Sequence, residues 1–269
     1  MLGKIIKNEF KSTYKLMLSI LGLLLLLSVM GGISVRSLAM TSEKVSVASV
    51  LGTVLYFLSF VAVFIIVIVY VGQRFYKTMF STQGYLTHTL PVKESSIFNG
   101  KLLVSFIWVF SVFLMIFVSL LIMGSIASDG KLFSILVNEA WAEFVQDLYE
   151  EFHINVTGFL WKIVLSILLG IVYMLLWIFT SLSVGQLSNK HRIAASVFTG
   201  IGIYIVEEIF SVLFIVSIAK KAESFVESAE RAGKLLNENL WIGIGYMVLS
   251  IAIMYTVCML INKKKLNLE

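Results

Sequence analysis

Residues 61–71 read VAVFIIVIVYV, eleven positions with no charge, no glycine or proline and no alternation of polar with apolar side chains. A strand with one wet face alternates with period two, and this run does not, so it reads as the middle of a buried or lipid-embedded helix. On either side the uncharged stretch extends over Val45–Gln73. It exceeds the roughly 20 residues that cross a hydrocarbon core at about 1.5 Å rise per residue. Five further stretches behave alike: Leu16–Val35, Leu102–Ser128, Ile163–Asn189, Ile193–Ala219, interrupted only by Glu207 and Glu208, and Asn239–Asn262. Closed β-barrels are the other way to satisfy the backbone in lipid, but their short alternating segments are absent. The expected fold is an all-α integral membrane protein with six transmembrane helices.

The charges set the expected orientation. With a cytoplasmic N-terminus, the inner segments hold Lys4, Lys7, Lys11, Lys15, Arg74, Lys77, Lys93, Lys101, Lys190, Arg192 and Lys263–Lys265. Those are 13 of the 21 cations, against Glu9, Glu94 and Glu269, while the outer segments hold 8 cations against 11 acids. That asymmetry follows the positive-inside rule and predicts both termini cytoplasmic. The net charge of +5 is then a consequence of topology and not of nucleic-acid binding. With 59% hydrophobic residues and no long charged region, residues 1–269 read as one transmembrane domain in a multi-pass cell-membrane protein. Cys258 is the only cysteine, so no internal disulfide is possible. Met1–Val29 has the layout of a signal peptide, but weak small-residue cleavage chemistry at Met30–Ser34 favours an uncleaved first span.

In the first fifteen residues, Lys4, Lys7, Lys11 and Lys15 fall within about 80° of helical arc, opposite Leu2, Ile5, Ile6 and Phe10. This pattern predicts an N-terminal interfacial helix over 1–15, its lysines on the membrane surface and its apolar face in the acyl boundary of the lipid bilayer. Outside, segments 129–162 and 220–238 are expected to be extracellular. The first is long enough for a helix around Val137–Phe152, with Trp141, Phe144 and Leu148 on one face and Glu139, Glu143, Asp147 and Glu150 roughly opposite. The second reads as a solvated helix with Glu227/Arg231 and Glu230/Lys234 at i,i+4 spacing.

The cytoplasmic segment 74–101 carries the clearest functional pattern. Span two is expected to continue as a helix to Gly84, a natural C-cap. Pro91, the only proline, then breaks the chain and disfavours helix at Leu90, and Ser95 or Ser96 can cap the start of span three. Tyr85, Leu86, His88 and Leu90 are thereby held out at an elbow, as a docking point for another protein. The order Gly84, Leu86, Leu90-Pro91-Val92, Asn99-Gly100-Lys101 resembles the first cytoplasmic loop of ABC transporter permease subunits of the type-2 exporter class. The resemblance implies that Tyr85–Val92 seats on an ABC ATPase subunit, with Lys190 and Arg192 in a second, smaller contact. It also implies two ATPase copies, a second permease copy or paralogue, and ATP and Mg bound by the partner ATPase. The family's re-entrant apolar hairpin before the last span has no counterpart in the charged Lys220–Glu238 segment.

No G-x-x-x-x-G-K-[ST] is present, no H-E-x-x-H, and no histidine within a span, so the sequence offers neither a catalytic nor a metal site. ATP hydrolysis is expected from a partner chain. Glu207 and Glu208 are costly in lipid unless hydrated, paired or protonated, and are expected to line a transport path or dimer interface. Ser196, Gly200, Tyr204 and Ser211 recur on a neighbouring helical face, and Tyr204 is spaced to hydrogen-bond Glu208. The expected function is export of an amphipathic or apolar substrate, a peptide or a lipid-like molecule. The alternatives are a cation-coupled transporter or channel using Glu207 and Glu208, and a non-transporting immunity or scaffold protein.

Overall fold

The computed structural model describes residues 2–40, 46–81, 83–84, 92–131, 141–150, 155–188, 190–223 and 229–264, with the side chains of all but 148, 217–223, 229–232 and 264. Among these residues there are helices and turns and no strand. Seven helices follow in order: α1 Leu2–Met40, α2 Val47–Met79, α3 Glu94–Ala127, α4 Trp141–Glu150, α5 Val156–Gly185, α6 Arg192–Glu223 and α7 Ala229–Lys264. All but α4 are long and apolar enough to cross a membrane, which gives the chain the make-up of a multi-pass membrane protein. Long unbroken helices are what such apolar segments must form, because only internal hydrogen bonds satisfy the backbone away from water.

Two compact units divide the chain: Met1–Val71 with Leu103–Glu143, and Gly72–Leu102 with Phe144–Glu269. In the first, α1 and α2 run antiparallel, joined by Ser49 Oγ donating to Ser37 Oγ at 2.9 Å. Gly31 sits so close to the Tyr56 ring that a Cβ there would lie 2.5 Å from Tyr56 Cγ. The Tyr56 hydroxyl in turn meets Ser119 Oγ of α3 at 2.9 Å. One end is tied by Arg36 and Asp129, 2.5 Å apart. There α3 stops with Asp129 and Gly130 at φ 54° and 80°, and the Gly130 N–H donates to Ser125 O at 2.8 Å. This αL ending uses two residue types that tolerate positive φ readily.

The N-terminal segment departs from expectation. Residues 1–15 are expected as a separate interfacial helix, but residues 2–15 are the opening turns of one 39-residue helix. Nothing between Lys11 and Leu16 breaks the hydrogen-bond ladder, and the segment docks on α3. The Phe10 ring stacks on Trp108 with centroids 4.7 Å apart, and Trp108 Nε1 donates to Thr13 Oγ1 at 2.9 Å. Lys4, Lys7, Lys11 and Lys15 are exposed on it.

In the second unit α5 is the central helix, packed against both α6 and α7, which touch each other only marginally. Its start is capped by the Asn155 side chain, which accepts from Gly158 N. Contacts of α5 with α7 keep a nearly constant offset: Lys162 with Asn237, Thr180 with Met254, Ser183 with Cys258. The two helices therefore run parallel. Those with α6 pair Gly185 with Ser196 and Ser181 with Gly200, so α6 is antiparallel. Ser196 and Gly200 are thus buried against protein, as small residues on a membrane helix should be. The expected solvated helix at 220–238 is instead shared out: residues 220–223 finish α6 and 229–238 begin α7.

Candidate functional site

Two features of the second unit bear on function. The first is the root of the elbow between α2 and α3. α2 ends at Met79, one turn before the expected Gly84, and the Phe80 side chain beyond it is buried against Phe75 (5.7 Å) and Tyr76 (6.3 Å). On the other side α3 starts at Glu94. The Lys93 carbonyl accepts from Ser96 N at 2.8 Å, so Ser95 and Ser96 lie inside the first turn and do not cap it. Gly84 is buried and Val92 half-buried, while Tyr85, Leu86, His88, Leu90 and Pro91 lie outside the described residues.

The two legs of the elbow are joined and then locked to α5 and α7. Lys101 Nζ donates to Thr78 Oγ1 at 2.7 Å. The Phe75 ring stacks on Phe179 of α5 at 3.9 Å, and Phe98 meets Phe179 and Tyr255 of α7 edge-on at 6.1 and 5.6 Å. The Tyr255 hydroxyl also donates to Asn99 Oδ1 at 2.9 Å. Phe75, Phe98 and Phe179 are fully buried, and such aromatic contacts contribute about 0.5–1.5 kcal/mol each beyond area burial. Of the expected smaller contact, Lys190 is exposed and Arg192, the first residue of α6, half-buried.

The second feature is the groove left where α6 and α7 diverge. It holds about 740 Å³, with Thr180 and Val184 of α5 as its floor. One wall runs from Thr199 to Phe210 on α6 and the other from Tyr246 to Val257 on α7. Among the described residues, Glu207 is the only charged one lining it. The Tyr246 hydroxyl donates to Glu207 Oε2, and Tyr173 of α5 lies within electrostatic reach of the same carboxylate. Glu207 turns into the groove, Glu208 is rotated about 100° from it, and Tyr204, Glu208 and Ser211 are exposed. Glu207's partners come from neighbouring helices, at registers that spacing within α6 cannot reveal. The one available signal was a tyrosine in each of spans four and six, residues that need a partner when buried.

The level of Glu207 follows from α7. Lys162 is buried beside Asn237, whose side-chain oxygen accepts from it, and lies 5.3 Å from the Trp241 ring centre. A lysine and a tryptophan together mark a membrane boundary. Tyr246 is five residues, about 7.5 Å, inward of Trp241, and Lys263 is about 33 Å from Trp241 at 1.5 Å per residue. Along α7, Glu207's partner Tyr246 is therefore much nearer Trp241 than Lys263.

Comparison with family models, with characterised proteins and with solved structures finds no match to this chain.

Proposed function

We propose that this chain is the membrane-spanning subunit of an ATP-driven exporter of the type-2 ABC class, which moves an amphipathic or apolar substrate. Energy would come from two ATPase subunits that bind ATP and Mg, acting on a pair of permease copies. The observation that supports this reading most directly is the mechanical continuity between the elbow and the groove. Phe179, gripped by Phe75 and Phe98, is followed by the groove residue Thr180, and Tyr255, bonded to Asn99, is preceded by the groove residue Met254. A push on residues 80–93 therefore reaches both the floor and one wall of the groove through stiff aromatic contacts. The motif order across Gly84–Lys101 and the almost wholly apolar groove lining support the same reading.

The test is direct. Tyr85→Asp, Leu86→Asp and Leu90→Asp place a charge where the ATPase would dock, and burying a lone charge at such a contact is costly. These variants should insert normally but lose co-purification of the ATPase subunit and substrate-stimulated hydrolysis. Parental transport in all three would discard the coupling role. The carboxylate in the groove favours a second reading, a cation-coupled transporter. In that case Glu207→Gln abolishes transport and no ATPase co-purifies.

A further inference from the structure

The groove between α6 and α7 has a built polar end and an apolar length, and the two together specify a ligand. At the polar end, Glu207, Phe210 and Tyr246 line the space together, with the Phe210 and Tyr246 rings 6.2 Å apart. A carboxylate has about four acceptor positions, so the Tyr246 hydroxyl leaves room for further donors. A carboxylate at the end of an otherwise uncharged groove attracts a cation, and aromatic rings beside it add to that attraction. From this end the groove runs along residues 246–257 of α7, about 16 Å at 1.5 Å per residue. That is about half the length of a 30 Å hydrocarbon core. Its walls over that length are Ile203, Val206, Leu249, Ile253 and Val257, relieved by Thr199 and Ser250.

Charge decides between occupants. The uncharged stretches of a second copy's spans hold no lysine or arginine to meet Glu207, whereas an amphiphile with a cationic head supplies the counter-charge and lays apolar chain along the walls. The polar end is the one nearer Trp241, about 7.5 Å along α7, so an amphiphile entering from that side would bring its head to Glu207 and its tail along the walls, past the middle of the span.

We propose that the groove binds a bilayer amphiphile with an ammonium head, the head held by Glu207 beside the packed rings of Phe210 and Tyr246 and the alkyl chain laid between α6 and α7. This deepens the exporter reading by naming the class of molecule carried. It rests on that reading only for transport, since binding needs no ATPase.

The test uses the full chain in lipid nanodiscs and three photoactivatable probes with identical dodecyl tails, carrying trimethylammonium, sulfate or maltoside heads and a diazirine at the tail end. The ammonium probe should label α6 or α7 at the Thr199–Val257 end of the groove. Labelling should fall about tenfold or more in Glu207→Gln, the loss expected for one charge-assisted contact, and persist in Glu208→Gln. Ile253→Trp, which fills the groove and leaves the carboxylate in place, should abolish it. Equal labelling by all three heads regardless of Glu207 would mean a non-selective lipid crevice and overturn the proposal. So would labels confined to other helices, or disulfide cross-linking of a second copy between Ile203→Cys and that copy's helices. Failure here with intact ATPase coupling refutes the ligand and leaves the exporter standing. The reverse pattern refutes the exporter and leaves the ligand.

Discussion

Gly185 is the tightest point in the second unit, because a Cβ built on it would lie 2.5 Å from Ser196 N and 2.6 Å from Ser196 Cα. Those are backbone atoms at the start of α6, which cannot rotate away as a side-chain tip would. Gly185→Ala should therefore push α6 off α5 and lower stability by about 1–3 kcal/mol, the usual cost of overpacking. Gly158, also in α5, has nothing within 4 Å of its Cβ position. Gly158→Ala should leave stability unchanged or raise it by up to about 1 kcal/mol through helix propensity. Thermal unfolding of both variants in the same detergent checks the pair, and a Gly185→Ala protein as stable as the parent would mean that α6 does not approach as described. Glu207 makes a different point at this scale. Its neighbour Glu208 has the same chemistry and the same place in the sequence pattern, yet a rotation of about 100° gives one residue a tyrosine hydroxyl and the groove and the other an exposed surface.

Among the elements, α1 shows how packing overrides a surface pattern. Four lysines on one arc and apolar residues on the other read as a helix lying on a membrane, but the apolar face has a protein partner in Trp108. Trp108 contributes both a stacking surface and a hydrogen bond, and the two can be separated. Trp108→Phe keeps the ring against Phe10 and should cost about 1 kcal/mol for the bond to Thr13. Trp108→Ala removes both and should cost about 3–5 kcal/mol. A spin label at Asn8 should stay immobile in the first variant and become mobile in the second. Equal mobility in both would show that the segment is held by something other than this contact. α5 carries the complementary lesson. It meets α6 through Ser181 and Gly185 against Gly200 and Ser196, and α7 through Thr180 and Ser183, small residues that let two helices approach it closely while their own faces part and leave the groove.

For the whole chain, six helices have the length and apolarity to cross a membrane, and the distribution of lysine and arginine predicts which ends face the cytoplasm. Cys258 is buried, bonded to Ser183 Oγ at 3.2 Å and approached by Asn262 Nδ2 at 3.6 Å, so its replacement by serine gives a quiet background for labelling. In Cys258→Ser cells, single cysteines at Ser42, Ser134 and Ser228 should react with an impermeant maleimide, and those at Ser95 and Asn267 should not. Reaction at Ser95 in intact cells would invert the topology and remove the elbow from any cytoplasmic partner.

Sequence alone determined the helical class, the six candidate spans and the break between the second and third of them. Each of these follows from local chemistry: apolar runs longer than a bilayer core, charge between them, and one proline with its neighbours. The elbow's boundaries were legible only to within a turn, since α2 stops at Met79, where no capping pattern announces it. Glu207 was legible as costly, because a carboxylate in an apolar stretch is conspicuous wherever it points. Its partners, the groove beside it, and the locking of the elbow to α5 and α7 through Phe179 and Tyr255 were decided by tertiary structure alone. A helix presents every face equally to a reader of its sequence, and which face meets tyrosine, lipid or empty space depends on the offset and angle at which other helices arrive.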